Sequence, residues 1–309
     1  MTTTRIVDRY EPLLGTVVEI YVEVDGVGRE DDATAVSDAA ADEMLRLQAI
    51  LSSVDPTSEF SRWCRGGDDP PSPELVAVLG LAADWQARSQ GRFNPAAGRL
   101  AQVWRGAEAD DRPPDPATLA ALVADIARPR WSIVDGAPVR HGDVADCTLN
   151  ALAKGWIADR AVGVALAHEG VVSAAVNAGG DIVVRGPRTL VVGIEDPATP
   201  WDNAAPLTTI ELRDAGLATS GGARRGFRIG GVLHSHVLDP RSGRPVDHVA
   251  SISVVAPSAA EADALATMLG VEPAVDAVAE ASAMDLACLV VTAEGQVLAT
   301  ERWRSIEVS

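Results

Sequence analysis

Residues 150–185 read NALAKGWIADRAVGVALAHEGVVSAAVNAGGDIVVR, and the change of pattern inside this stretch decides the fold class. Asn150 to His168 reads as a helix. VVSAAVN, a Gly-Gly-Asp turn and IVVR then read as two strands joined across Gly179 and Gly180, and a strand pair closed by so short a turn is an antiparallel hairpin. LVVGIE at 190–195 supplies a further strand. Helices mixed with antiparallel strands predict an α+β fold rather than a regular doubly wound parallel sheet.

Working outward, Leu13 to Val24 (LLGTVVEIYVEV) alternates around β-branched residues and predicts a strand. Apolar residues at Val36, Ala40, Met44, Leu47 and Leu51 are spaced three and four apart, the mark of an amphipathic helix. GGDDPPSP at 66–73 is made of breakers and predicts a loop, and a second helix is expected over Glu74 to Gln90. DDRPPDP at 110–116 is a second loop, too short to divide the chain, so residues 1–309 are expected to form one domain. Downstream, a strand at Ala250 to Ala256 feeds a helix that carries Asp263 and Thr267.

Composition narrows the function classes. With 26 basic and 44 acidic residues among 309, the net charge is −18, which repels nucleic acid and anionic membranes. Any site for an anionic ligand must then be a local exception made by backbone N–H groups, a metal or a few basic side chains. Cys64, Cys147 and Cys288 have neither paired nor metal-ligand spacing and read as buried or half-buried thiols in a reducing compartment. The segment MTTTRIVDRYEPLLG has no leader-like apolar core, and no uncharged run reaches the roughly 20 residues of a membrane span. A cytoplasmic protein without a membrane anchor is the expectation.

Chemistry concentrates between Ala218 and Thr267. Asp263 and Thr267, four apart on a helix, lie on one face about 6 Å from each other. A carboxylate beside a hydroxyl suits Mg²⁺ or another hard cation, and equally suits a solvated surface. His236, at a strand end before an Asp-Pro-Arg-Ser-Gly turn, is placed either to take a proton from an alcohol or to brace the turn. His234 is its partner or its decoy. Thr219, Ser220, Gly221 and Gly222 can cradle a phosphate through backbone N–H groups or make a plain turn. Arg241 is a phosphate contact or a surface group. Lys154, near a helix start, adds positive charge.

The order of these motifs is more specific than any one of them. LLGTVVEI, SVDPTSEFSR, GRFNPAAGRL followed by Trp104, LNALAKGWIADRA, VNAGGDI, VGIEDP, ATSG, HSHVLDPRSGRPV and EADALAT together resemble the ApbE family of flavin transferases, from about Leu13 to Trp303. The resemblance implies a two-lobed α+β protein with a flavin-binding cleft. It further implies cleavage of FAD with Mg²⁺, transfer of FMN to a threonine or serine hydroxyl of an acceptor protein, and release of AMP. By position, Asp263, Thr267 and the main-chain oxygen of Ala151 would hold the metal, and His236 would be the base. Leu14, Val54, Arg92, Phe93, Asn94, Thr148, Lys154, Val237 and Leu238 would line the FAD site.

Some positions depart from the family's pattern. Leu14 stands in place of Met, Val54 in place of an aromatic residue, Asn94 in place of Asp, and Thr148 with Asn150 in place of Asp and Gly. These substitutions leave open two alternative outcomes: a protein that binds FAD without transferring, and a metal-dependent pyrophosphatase that yields FMN and AMP.

Overall fold

Val18, Ile20, Val22 and Val24 alternate along their strand and are each no more than 1% exposed, so one sheet face is committed to a core. Burying each such side chain contributes about 1.5–3 kcal/mol. The computed structural model describes residues 2–67, 69–199, 201, 204–221 and 226–308. Among them an eight-stranded sheet runs in the spatial order Thr3–Leu13, Thr16–Asp25, Val171–Ala178, Asp181–Arg185, Gly216–Gly221, Val249–Ala256, Ala287–Thr292, Val297–Ala299. Every neighbouring pair is antiparallel. The α+β expectation holds, and the hairpin across Gly179 and Gly180 stands where the sequence puts it.

The two faces bury different partners. Against one lie the helices Glu30–Leu51, Ala153–Leu166 and Ala259–Leu269, enclosing a core that includes Met44, Leu47, Ile157, Val176, Ile252 and Leu265. Against the other packs a small sheet of Thr189–Ile194, Thr208–Arg213 and Glu307–Val308, and a second core gathers Val184, Ile194, Ile210, Leu212, Leu217 and the fully buried Trp303.

Two boundaries differ from the sequence reading. LLGTVVEIYVEV is not one strand: Leu13 ends the first strand, and Leu14 (φ 53°) with Gly15 (φ 71°) turns the chain before Thr16. A left-handed leucine is costly unless its surroundings hold it, and here Gln48 Oε1 accepts a 2.8 Å hydrogen bond from the Leu14 amide. The helix expected from Asn150 begins at Ala153, because Leu152 (φ −153°) is not helical.

The Ala259–Leu269 helix is seated unusually close to its neighbours. A Cβ on Gly155 would fall 2.5 Å from the Ala259 carbonyl, and one on Gly216 would fall 2.2 Å from the Ala259 nitrogen. Asp159 turns both carboxylate oxygens onto this helix start, accepting from the amides of Ala259 and Ala260 at 3.0 Å each. Ser258 caps it, accepting from the Glu261 amide. These bonds satisfy amides that have no partner within the helix and place negative charge at its positive end.

The Gly216→Ala variant is therefore expected to lose about 1–3 kcal/mol to overpacking. Gly106→Ala, at a helical position with open space around it, is expected to hold or gain stability. Denaturant midpoints of the two variants check the pair, and equal midpoints would show that the close approach carries no energy.

Candidate functional site

One large cleft, about 1170 Å³, opens between the two sheets and the helix layer. Lys154 and Ile157 come to its wall from one helix, and Asp263 comes from the next. The Gly179–Gly180 turn and Asp181 form part of it, as do Thr219, Ser220 and Gly221 at a strand end. Leu14, Gly15 and Gln48 close one rim, with Ser52, Ser53, Val54 and Asp55 beside them. Residues Leu190 to Glu195 run along the opposite side.

The electrostatics centre on Asp263. Its Oδ2 is sealed from solvent and has no hydrogen-bond partner. Desolvation, and then repulsion from Asp181, push its carboxyl well above the usual carboxylate range, and Lys154 opposes that shift. Asp181 is only 4% exposed and is itself raised by burial, against the pull of a 2.5 Å ion pair with Lys154 Nζ. Among the described residues, two buried carboxylates therefore face a single lysine in this cluster. That imbalance calls for another cation.

A hard divalent ion fits it. The Asp263 carboxylate, the Thr267 hydroxyl four residues on and a main-chain oxygen in the turn before the Ala153–Leu166 helix are oxygen donors of the kind Mg²⁺ takes. Among the described residues no three His, Cys, Asp or Glu side chains form a ready metal cage. An ion here would complete its shell with water or ligand oxygens, as Mg²⁺ commonly does.

Of the residues singled out in the sequence, Leu14, Val54, Lys154, His236 and Asp263 reach the cleft together, with Thr219, Ser220 and Gly221. Gly222 lies outside the described residues. His236 follows the end of the Val232–Ser235 strand and is exposed at the cleft, whereas His234 turns away to Asp247 (3.2 Å) and the Trp104 ring. Val237 and Leu238 hold the segment after His236 in place. The Val237 carbonyl accepts from Val246, and Leu238 bridges to Pro245.

The Arg92, Phe93 and Asn94 turn stands behind the wall rather than on it. Arg92 forms a two-pronged pair with Glu280 at 2.6 and 2.8 Å and also reaches Glu272; Phe93 is core; Asn94 caps the short turn at Pro95–Ala97. Thr148 is also one layer back. Its amide bonds the Pro95 carbonyl and its hydroxyl bonds Ser53, which lines the cleft. Ala151 and Thr267 are likewise absent from the lining. Arg241 is paired with Asp239 and Glu272.

Gln48, Asn177, Asp181 and the strand at 190–194 line the cleft without having been singled out as site residues from the sequence. Asp181 had a signal, an acid directly after Gly-Gly, but a hairpin turn accounts for that spelling equally well. The others became visible only when the chain folded around the cleft.

Against this geometry the comparisons are specific. The model of the ApbE family matches residues 14–290. The chain belongs to the ApbE family. An FAD:protein FMN transferase from Rhodobacter capsulatus is 33% identical over 95% of this chain, which spans 57% of that relative's length. One from Klebsiella pneumoniae is 29% identical over 83% of this chain and 76% of its own. A solved ApbE protein from Thermotoga maritima superposes with a TM-score of 0.85 at 25% identity, covering 99% of this chain and all of that one.

Two outcomes follow. An acid with a raised folded-state pKa favours the native state at low pH, and that contribution is lost as pH rises through the folded value. Metal-free Asp263→Asn is therefore expected to unfold at higher denaturant than the parent at neutral pH, with the difference shrinking on acidification and reversing in Mg²⁺. An unchanged midpoint at neutral pH would remove the unpaired charge from the account. Arg92→Met should cost about 1–2 kcal/mol, as expected for a part-exposed charged pair, with no change in FAD affinity by fluorescence titration. A weakened FAD affinity would put Arg92 back among the ligand contacts.

Proposed function

We propose that this chain is an FAD:protein FMN transferase that moves FMN from FAD onto a threonine or serine hydroxyl of an acceptor protein and releases AMP. The observation that carries the reading is the sealed, unpartnered Asp263 carboxylate oxygen in a cleft shared with Lys154 and His236, within an ApbE-family chain. In this reading Leu14 offers apolar surface to FAD, with Val54, 83% exposed, at the rim. Thr148 acts through Ser53, while Val237 and Leu238 seat His236.

The chemistry asks little covalent work of the protein. The acceptor oxygen bonds to the FMN phosphorus, the pyrophosphate P–O bond breaks, and the bridging oxygen leaves with AMP. The hydroxyl proton passes to an imidazole nitrogen of His236. Lys154 opposes the negative charge that gathers on the phosphoryl oxygens. Mg²⁺, held by Asp263, Thr267 and the main-chain oxygen of Ala151, would neutralise the pyrophosphate when bound. Without such local positive charge, a protein of net charge −18 would repel its own substrate.

We place the reaction in the cytoplasm. Cys64, Cys147 and Cys288 are free and buried, and burial pushes each thiol up to about 12, which suits a reducing compartment and leaves them chemically quiet. Among the described residues no helix is long and apolar enough to cross a membrane.

Incubation with FAD, Mg²⁺ and an extract of the source organism should give a flavin-fluorescent protein band on a denaturing gel and one AMP per label. His236→Ala should slow transfer by about 10²–10⁴-fold while still binding FAD. Free FMN with AMP and no labelled band would make the protein a pyrophosphatase. Intact FAD throughout would leave it a binding protein.

A further inference from the structure

The strand Thr189–Ile194 (TLVVGI) forms one edge of the small sheet, and every residue from Leu190 to Ile194 lines the cleft. Side chains of a strand alternate between faces, so a strand whose consecutive residues all border one space presents its edge there, rather than a face. The backbone polarity can be assigned. The Glu211 amide donates to the Ile306 carbonyl at 2.9 Å, so Glu211 spends its main-chain groups on the far neighbour of the middle strand. Val191, its partner across the ladder, must then point its own N–H and C=O away from the pair. By alternation Thr189 and Gly193 do the same. Among the described residues no backbone group meets this outward edge.

Such an edge is unusual because nothing among the described residues guards it. The outer strand Thr3–Leu13 of the large sheet carries Arg5, Asp8, Arg9, Glu11 and Pro12 and a register irregularity after Tyr10. The opposite edge of that sheet, Val297–Ala299, is three residues long, and Glu307–Val308 on the small sheet is two. Charge, proline, irregularity and shortness are the usual protections against strand addition. The Thr189–Ile194 edge has none of them: its register is unbroken, it carries no charge, and Val191 is 62% exposed. The cleft it borders, at about 1170 Å³, also exceeds the roughly 300–1,000 Å³ that a single small-molecule site occupies.

We infer that the acceptor protein docks by adding an extended segment to the Thr189–Ile194 edge, pairing with the main chain of Thr189, Val191 and Gly193. This inference rests on the transferase reading above. Strand addition draws affinity from main-chain hydrogen bonds and specificity from alternate side chains. It holds the segment straight, so that one Ser or Thr side chain turns into the cleft that also holds His236 and Asp263. The partner is thus a backbone-recognised, proline-free segment around the acceptor hydroxyl.

The enzyme offers a clean variant. Proline at position 191 removes only an N–H that the enzyme's own ladder does not use, and proline is tolerated at such edge positions. The probes are peptides of about twelve residues centred on the labelled residue of the acceptor, with a single N-methylated amide moved along them. We expect Val191→Pro to keep its unfolding midpoint and to raise the acceptor KM at least tenfold. We also expect N-methylation to weaken transfer at every second residue. Wild-type KM in Val191→Pro, or a flat N-methyl profile, overturns the inference while leaving the transferase reading intact. So does a dimer that Val191→Pro dissociates without changing KM, because the edge would then serve a second copy. Should Val191→Pro fail to fold, the N-methyl profile decides alone. No transfer to any acceptor by the unaltered enzyme overturns the reading and the inference together.

Discussion

The seating of the Ala259–Leu269 helix on Gly155 and Gly216 is the constraint from which the site follows. Neither glycine has a positive φ, so neither is present for backbone freedom; each is there because a methyl group would overlap the backbone of Ala259. Asp159 completes the seat by binding two amides that the helix cannot satisfy itself. With the helix start pinned to one neighbouring helix and to one strand, the Asp263 carboxylate has little choice but to lie beside Asp181 and Lys154.

That placement costs energy. Among the described residues two carboxylates are desolvated near a single ammonium group, and the one with a sealed, unpartnered oxygen carries the larger penalty. A protein selected for stability alone would replace Asp263 with something neutral. A buried acid with a strongly shifted pKa on a cleft wall is the kind of group that marks a functional site. On a protein of net charge −18, any attraction for an anion must be confined to the few ångströms around such a local cluster.

Much of this was legible in the chain. The helix-to-hairpin change at 150–185, the alternation in VVEIYVEV and the spacing of Asp263 and Thr267 follow local periodicity, which the backbone obeys whatever surrounds it. The departures involve partners distant in sequence. Leu14 and Gly15 take left-handed conformations as the two-residue turn of a hairpin, and Gln48, 34 residues away, accepts from the Leu14 amide, a contact that no local pattern shows. The Arg92 turn entered the expected FAD site by its position in the family pattern, and in the fold Arg92 meets Glu280 while Asn94 accepts from a turn amide.

The sequence by itself determined the class of fold, the family and the identities of the carboxylate, hydroxyl and imidazole, since these depend on residue type, order and short-range spacing. Only the tertiary structure decided that Asp181 shares Lys154 with Asp263, that Arg92 and Asn94 stand behind the wall, and that a strand edge borders the cleft. Those facts depend on which groups lose water and which neighbours they meet. Burial and partnership are properties of the packed chain, not of any window within it.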